Sequence, residues 1–178
     1  IIESGLEISW TCNSRVDIVD ESLLRLMKKA GCWMISFGIE SADQQVLDRA
    51  GKGITPQQAA YAVKAAGRQG LKTAGHFILG LPGDSEQSIK KTIAFARRLG
   101  LDIAQFYCCV AFPGSRLYEE AARDGLLRGN DFSAFTQGHA SLNLPGVSAE
   151  TVEGLRRHAY KSFYLHPMTW YRTLKMFN

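Results

Sequence analysis

The chain has 178 residues, of which 46% are hydrophobic and 21% are charged, and its formal net charge is +4. This length and composition predict an ordinary globular protein with enough residues for one sizeable core. No apolar run is long enough to span a bilayer, and the first residues show no signal-peptide pattern, so we expect no transmembrane segment.

The charged residues and cysteines predict a cytoplasmic protein with no nucleic-acid partner. Basic residues are spread along the predicted helices, which favours a solvated surface over a nucleic-acid patch. The cysteines have neither metal-motif spacing nor the density of a disulfide framework, which fits a reducing compartment. They are Cys12, Cys32, Cys108 and Cys109. The chain starts at Ile1 without Met, which suggests a piece of a longer protein.

Apolar runs bounded by glycine and turn residues predict four strands, over residues 6–12, 32–39, 72–80 and 103–111. Helical spacing of apolar residues predicts helices over residues 21–30, 43–50, 57–68, 85–99, 115–123, 148–164 and 167–177. Asp20 is the expected N-cap of the first helix, and Thr55 with Pro56 is the expected start of the third. This alternation indicates an α/β fold with a parallel sheet.

Glycine or polar side chains follow three of the predicted strands. Glu40 and Ser41 follow the second strand, Gly80 closes the third, and Phe112-Pro113-Gly114 follows the fourth. Ligands collect at the carboxyl ends of parallel strands, so we expect the site there. Glu40 is the main candidate, because a carboxylate directly after a buried strand is costly unless it meets water, a cation or a ligand.

Several common motifs are not matched. Residues 80–85 lack the Gly-Lys-Ser/Thr of a P-loop, and Pro56 stands where a dinucleotide fingerprint starting at Gly51 needs its third glycine. Gly114-Ser115-Arg116 lacks the second glycine of a nucleophile elbow. The four histidines have no metal-ligand spacing. On its own, His76 inside an apolar strand is better explained as a core or lumen residue than as a ligand.

Four segments in order nevertheless resemble the second half of a radical SAM domain. They are AGCWMISFGIESADQQVLDRAGKGIT, RQGLKTAGHFILGLPGDSEQSIKKTIAFARRLG, AFPGSRLYEEAARDGLL and the closing SFYLHP. Each motif alone is weak, but four at suitable spacing are a strong signal. The nearest subgroup is the one that often carries a cobalamin-binding domain, including the anaerobic magnesium-protoporphyrin ester cyclase and hopanoid-associated enzymes. The resemblance covers roughly residues 6 to 166.

This resemblance implies a fold and a set of cofactors. The fold is an α/β partial parallel barrel, of which the chain would supply the later four of six strands in residues 1–125, with a loop and helical tail in 126–178. The implied cofactors are S-adenosylmethionine (SAM), a [4Fe-4S] cluster and, in the full-length protein, cobalamin. The cluster motif Cys-x3-Cys-x2-Cys is absent from these residues and is expected upstream.

The resemblance also implies an activity. The full-length protein would be an enzyme that cleaves SAM reductively to a 5′-deoxyadenosyl radical, and this chain alone would be inactive. Its partners would be an external electron donor and a small-molecule substrate of lipid or tetrapyrrole type. Methylation, cyclisation and oxidation all stay open as outcomes, because the fold does not decide among them.

The matching positions imply contacts for the ribose and the carboxylate of SAM. Glu40 matches a residue that hydrogen-bonds the ribose; the alternative is an N-terminal cap for the helix starting at residue 43. Lys52 matches a basic position that pairs with the SAM carboxylate in relatives of coproporphyrinogen oxidase, and the alternative is an exposed loop lysine. Ser41 is either a ligand contact or a helix cap. Arg15 would face the substrate or the SAM carboxylate, or would instead pair with Asp17 at the surface.

The adenine contacts are implied by the third and fourth strands. Ile78, Leu79 and Gly80 would flank the ring, and Phe112 with Pro113 would close over it. His76 occupies a lumen position where some relatives have an acid that contacts ribose, and the histidine departs from that pattern.

Fewer constraints apply to the remaining candidates. Alternation lets only one of Cys108 and Cys109 face the lumen, and two small core residues are favoured. Four residues of the predicted loop would either contact the substrate or only pack the loop: Asp131, Phe132, Phe135 and His139.

Two other functions stay open at this point. Another parallel-barrel enzyme, of the aldolase or phosphate-binding type, would need a buried lysine base or a glycine-rich phosphate loop, and neither is evident. A non-catalytic RNA-binding module would need clustered basic and aromatic residues. The densest basic patch lies around Arg156, Arg157 and Lys161.

Overall fold

The computed structural model describes residues 1–129 and 136–174. The strands are β1 (Trp10–Ser14), β2 (Cys32–Glu40), β3 (Lys72–Leu79) and β4 (Ile103–Cys108). The helices are α1 (Glu21–Lys29), α2 (Gln44–Arg49), α3 (Pro56–Arg68), α4 (Glu86–Arg98), α5 (Arg116–Arg123), α6 (Ala149–Tyr164) and α7 (Pro167–Leu174). None of the helices described is long and apolar enough to cross a membrane.

The strands form one parallel sheet in the order β1-β2-β3-β4, which confirms the predicted α/β class. Side chains alternate between the two faces of the sheet. Phe37, Phe77 and Phe106 all point to the helix side and are fully buried. The rings of Phe77 and Phe106 stack at 5.3 Å between centroids. The core therefore lies between the sheet and the helices, and the opposite face of the sheet is not part of this core.

Local capping follows the sequence closely. Asp20 caps α1 by accepting from the Leu23 backbone N–H, and Thr55 forms a capping box with Gln58 at the start of α3. At α2, however, the N-cap is Asp43, whose side chain accepts from the Gln45 N–H. The alternative role for Glu40, as a cap of this helix, is therefore wrong.

The first strand starts later than predicted. Residues 6–9 lie outside the strand, and Leu6 is 62% exposed. The reason is a close crossing at the start of β2: a Cβ on Gly31 would lie 1.8 Å from the carbonyl oxygen of Ile8. Pairing of β1 with β2 also shifts register between Trp10 and Thr11. The prediction of a strand over residues 6–9 is wrong, because the crossing that interrupts pairing depends on tertiary structure.

The fourth strand is shorter than predicted and its outer edge is covered by α6. Tyr164 donates its hydroxyl hydrogen to the Ala104 carbonyl at 2.9 Å and accepts from the Ala104 N–H at 3.3 Å. The Tyr160 hydroxyl accepts from the Phe106 N–H, and Arg156 donates to the Phe106 carbonyl at 2.7 Å. These side chains replace the missing neighbour strand, which protects a sheet edge from pairing with another chain. Burial raises the pKa of Tyr164.

The segment after α5 returns to the main core. Ala149, Val152, Ala159 and Phe163 of α6 belong to the same buried cluster as the sheet. The proposed boundary between residues 1–125 and 126–178 stays a prediction. Of the predicted substrate contacts, Asp131, Phe132 and Phe135 lie outside the described residues. His139 is described, and its ring lies 3.6 Å from Glu153.

Tyr164→Phe is expected to destabilise the protein by about 1–2 kcal/mol, because it removes the hydroxyl that satisfies both backbone groups of Ala104. The free energy of unfolding in urea measures this. Tyr61→Phe is the matched control, since Tyr61 is 51% exposed on α3 and should give a change near zero. Equal effects of the two substitutions would contradict the covering role of α6.

Candidate functional site

An open cavity of about 590 Å³ lies on the sheet face opposite the helices, toward the carboxyl ends of the strands. We call it the upper cavity. All four strands or the turns that follow them contribute to it. Its lining consists of Asn13, Ser14, Arg15, Ile18, Ser36, Gly38, Glu40, His76, Ile78, Tyr107 and Gln137. A volume of this size falls within the range of small-molecule sites, roughly 300–1,000 Å³.

Glu40 enters the cavity through an unusual backbone. It has a φ of 65°, the only positive φ at a non-glycine residue among those described. The Ser41 N–H donates to the Ile39 carbonyl at 2.8 Å, which closes a three-residue turn around Glu40. Pairing of β2 with β3 shifts register at the same place, between Gly38 and Glu40. Such a conformation costs about 1–3 kcal/mol and is found mainly at functional positions.

The Glu40 carboxylate forms an ion pair with Lys52. Lys52 Nζ lies 2.7 Å from Glu40 Oε1, and the side chains are 22% and 15% exposed. Arg15 supports this arrangement by donating to the Lys52 carbonyl at 2.9 Å. Arg15 also pairs with Asp17 at 2.9 Å, as the surface alternative for this residue predicts. Within the described residues, Glu40 Oε2 has no hydrogen-bond donor, so one carboxylate oxygen can accept from a ligand.

Gly38 leaves the space that the ion pair occupies. A Cβ on Gly38 would lie 2.8 Å from Glu40 Oε1 and 3.0 Å from Lys52 Nζ. Any larger side chain would therefore displace the two charged groups. Glycine within a strand often marks such a close approach.

A second pair of polar side chains joins β3 and β4 across the cavity. The His76 and Tyr107 rings stack at 5.8 Å between centroids, and His76 Nδ1 lies 3.2 Å from the Tyr107 hydroxyl. The hydroxyl also donates to Gln105 Oε1. The pKa of Tyr107 is raised mainly by burial, with smaller contributions from Tyr160 and Glu40. His76 is thus a lumen residue.

Ile78 lines the upper cavity, but the structure does not bring its predicted partners there. Leu79 is fully buried on the helix face, and its carbonyl accepts from the Cys109 N–H at 2.8 Å. The Gly80 N–H donates to Asp84 Oδ2 at 3.0 Å. Phe112 is 49% exposed, and neither it nor Pro113 is among the lining residues. Their roles at the adenine ring stay predictions.

Ser41 is used within the fold. It is 1% exposed, and its hydroxyl lies 3.2 Å from Thr92 Oγ1 of α4. It also accepts from the Asp43 N–H at 3.1 Å. These contacts fit the alternative of a capping residue at the start of α2.

Asp84 stabilises the turn after β3. Its buried carboxylate accepts from the Gly80 and Leu81 N–H groups, each at 3.0 Å, and from the Ser88 hydroxyl. Burial raises the pKa of Asp84 above its usual value, while these hydrogen bonds oppose the rise. The Leu-Pro-Gly-Asp segment therefore fixes the chain between β3 and α4.

Comparison with known proteins identifies the family. The model of the Radical SAM superfamily matches residues 1–96, which is more than half of the chain. The chain belongs to the radical SAM superfamily. Members of this family use SAM and a [4Fe-4S] cluster, and the match agrees with the parallel sheet and the polar cavity at its carboxyl end.

Curated relatives are longer than the chain. An uncharacterized methyltransferase of Pyrococcus horikoshii is 42% identical over 167 residues, which are 94% of this chain and 36% of that protein. The anaerobic magnesium-protoporphyrin IX monomethyl ester cyclase of Rubrivivax gelatinosus is 34% identical over 122 residues, which are 67% of this chain and 22% of that protein. The chain thus spans between about a fifth and a third of these relatives.

The fold agrees with a solved radical SAM structure. Coproporphyrinogen III oxidase of Escherichia coli superposes with a TM-score of 0.64 and 12% identity, covering 88% of this chain and 32% of that one. At this identity the likeness concerns the fold alone. It confirms the prediction that this sheet corresponds to part of a radical SAM barrel.

The cysteines are core residues in this part of the radical SAM domain. Cys108 and Cys109 are buried, and burial raises the pKa of their thiols to about 11 and about 12. This confirms the favoured interpretation of the pair. Among the described residues, no group of three or more His, Cys, Asp or Glu side chains is arranged to hold a metal ion.

Gln137 is a cavity residue that the sequence does not reveal. Gln137 is held beside the cavity because its backbone carbonyl accepts a hydrogen bond from the Cys108 N–H at 2.9 Å, at the end of β4. This long-range contact leaves no local signal in the sequence. Gly38 did carry a signal, because glycine is unusual inside a buried strand.

Gly38→Ala and Gly75→Ala are expected to differ in their cost. A Cβ on Gly38 meets the ends of two flexible charged side chains, so the free energy of unfolding should fall by less than about 1 kcal/mol. A Cβ on Gly75 would lie 2.5 Å from Leu101 Cδ1 in the core, which should cost about 1–3 kcal/mol. Urea unfolding of both variants measures this difference. A larger loss for Gly38→Ala would contradict the geometry described for the ion pair.

Proposed function

We propose that this chain is the SAM-binding, C-terminal part of a radical SAM enzyme, and that Glu40 binds the ribose of SAM. The observation that carries the proposal is the carboxylate held in the upper cavity by a strained turn and by Lys52. The strained backbone needs a compensating use, and a ligand contact supplies one. The carboxylate is suited to ribose because it accepts hydrogen bonds and ribose offers two neighbouring hydroxyl groups.

The surrounding residues fit the rest of this ligand. Ile78 offers an apolar face for adenine beside Glu40, and His76 is a polar neighbour on the same strand. Lys52 and Arg15 are the cations available to the carboxylate of the methionine moiety. In this proposal Lys52 has two tasks, since it also holds the Glu40 carboxylate in place at 2.7 Å. Charge-assisted hydrogen bonds of this kind are roughly twice as strong as neutral ones.

The cluster ligands are proposed to lie upstream of this chain in the full-length protein. The relatives with 42% and 34% identity are about three to five times longer than the parts matched here, so they have residues beyond the matched part that could hold the cluster. When bound, SAM and the reduced cluster supply the 5′-deoxyadenosyl radical. The residues of this chain bind and orient SAM, and the chain alone is inactive. An external electron donor is required for reduction.

Methyl transfer is the reaction we propose first. The relative that covers 94% of this chain is named a methyltransferase. Cyclisation is the second candidate, because the relative that covers 67% is named an ester cyclase acting on a tetrapyrrole. A tetrapyrrole-like or lipid substrate and a cobalamin cofactor in the full-length protein complete the proposal. The proposal of cobalamin as a cofactor rests on the resemblance to the subgroup that often carries a cobalamin-binding domain.

Two alternatives lose support. Arg156, from the densest basic patch, donates to the Phe106 carbonyl and lies over the Tyr160 ring at 5.2 Å. It therefore serves the fold, which weakens the case for an RNA-binding module. The match to the radical SAM superfamily argues against an aldolase or a phosphate-binding barrel.

Glu40→Gln is expected to weaken SAM binding at least about tenfold in the full-length protein, since it removes a charged acceptor and the Lys52 pair. Gly38→Ala should act in the same direction without changing any charge. Isothermal titration with SAM measures the affinity, and iron analysis should show that the cluster content is kept.

Glu86→Gln is the control for the loss of one carboxylate. It breaks an exposed pair with Lys90 on α4, away from the cavity lining, and should leave SAM affinity unchanged. Unchanged SAM affinity in Glu40→Gln would refute the ribose role. Loss of iron in that variant would instead indicate a folding defect.

A further inference from the structure

A second cavity lies at the opposite end of the sheet and concentrates positive charge. We call it the basal cavity. It has a volume of about 560 Å³ and lies where α3 and α4 end and where β3 and β4 begin. Four of its lining residues are cationic: Lys64, Lys72, Arg98 and Arg172. Among the described residues of this lining, Asp102 is the one that is acidic.

The Asp102 carboxylate already has partners within the fold. Asp102 Oδ1 lies 3.3 Å from Lys72 Nζ, and Asp102 Oδ2 accepts from the Thr73 N–H at 2.9 Å. In the part of the chain that the structure describes, Lys64, Arg98 and Arg172 have no ion-pair partner. Three cationic residues therefore line this cavity without an ion-pair partner among the described residues.

Arg172 is brought into the cavity by the C-terminal helix α7. Its guanidinium lies over Gly100, where a Cβ would come within 2.8 Å of Nη1. Gly100 has a φ of 74° and links α4 to β4. The absence of a side chain at Gly100 gives the Arg172 guanidinium room at this turn. The arrangement needs residues from α3, α4, β3 and α7 together.

The charges exceed what the helix ends require. Basic residues in the last turn of a helix normally complement the negative end of its dipole, about half a charge for each helix. The carbonyl ends of α3, α4 and α7 together supply about one and a half negative charges, and Asp102 supplies another. The four cations thus leave an excess of roughly one to two positive charges. This excess favours an anion.

We propose that the basal cavity binds a small molecule that carries a phosphate or diphosphate group. Guanidinium groups match phosphate oxygens with paired hydrogen bonds, and ammonium groups add point charges. The site is distinct from the upper cavity, because Ile78 lies six positions after Lys72 on β3, or about 20 Å along the strand. The proposal does not depend on SAM binding or on the chemistry of the upper cavity.

Isothermal titration of the full-length protein with inorganic pyrophosphate, at constant ionic strength in sodium chloride, tests the proposal. Saturable binding with one site per chain is expected. Arg98→Gln and Arg172→Gln should each weaken it at least about tenfold, as expected for loss of a charge-assisted contact. Arg97→Gln is the matched control, because it removes the same charge from the neighbouring α4 residue outside this lining, and it should change the affinity less than about twofold.

Two further measurements keep the outcomes distinct. Thermal melts followed by circular dichroism should be alike for the parent and Arg98→Gln, since Arg98 is exposed. SAM affinity should be unchanged in both cavity variants. Absence of saturable pyrophosphate binding by the parent would overturn the proposal, and so would an equal loss of affinity in Arg97→Gln and Arg98→Gln, which would indicate a general surface charge effect.

Discussion

The left-handed backbone at Glu40 is the constraint on which the candidate site depends. A strand that continued regularly past Gly38 would keep its pairing with β3 and leave the sheet without this turn. The extra residue at the bulge and the Ser41-to-Ile39 hydrogen bond instead turn the chain toward α2 while Glu40 faces the upper cavity. Lys52 then holds the carboxylate through an ion pair at 2.7 Å. The strained backbone at Glu40, its ion pair with Lys52 and the absence of a side chain at Gly38 therefore depend on one another.

The rest of the fold makes that unit possible by dividing the two faces of the sheet. Large apolar side chains of β2, β3 and β4 point toward α3, α4 and α6, so polar residues can occupy the other face. The outer edge of β4 is closed by tyrosine and arginine side chains of α6. This cover secures the strand that carries Tyr107. The cavity thus rests on a rigid support, as a binding site requires.

Much of this organisation could be predicted from local sequence. The caps at Asp20 and Thr55, the last three strands and the position of Glu40 follow from patterns that act over a few residues. The ion pair of Glu40 with Lys52 and the arrival of Gln137 could not be predicted, because they are long-range contacts. The error at residues 6–9 has the same origin, since a backbone crossing near Gly31 decides where β1 begins.

The carboxylate at Glu40 is proposed to hold ribose hydroxyl groups, and a thermodynamic cycle tests that contact most directly. The affinities of the full-length protein and of Glu40→Gln are measured for SAM and for an analogue without the two ribose hydroxyls. If Glu40 binds ribose, the parent should lose about tenfold or more on removal of the hydroxyls, whereas Glu40→Gln should bind both ligands within about threefold. An equal loss in both proteins would mean that Glu40 does not contact the ribose.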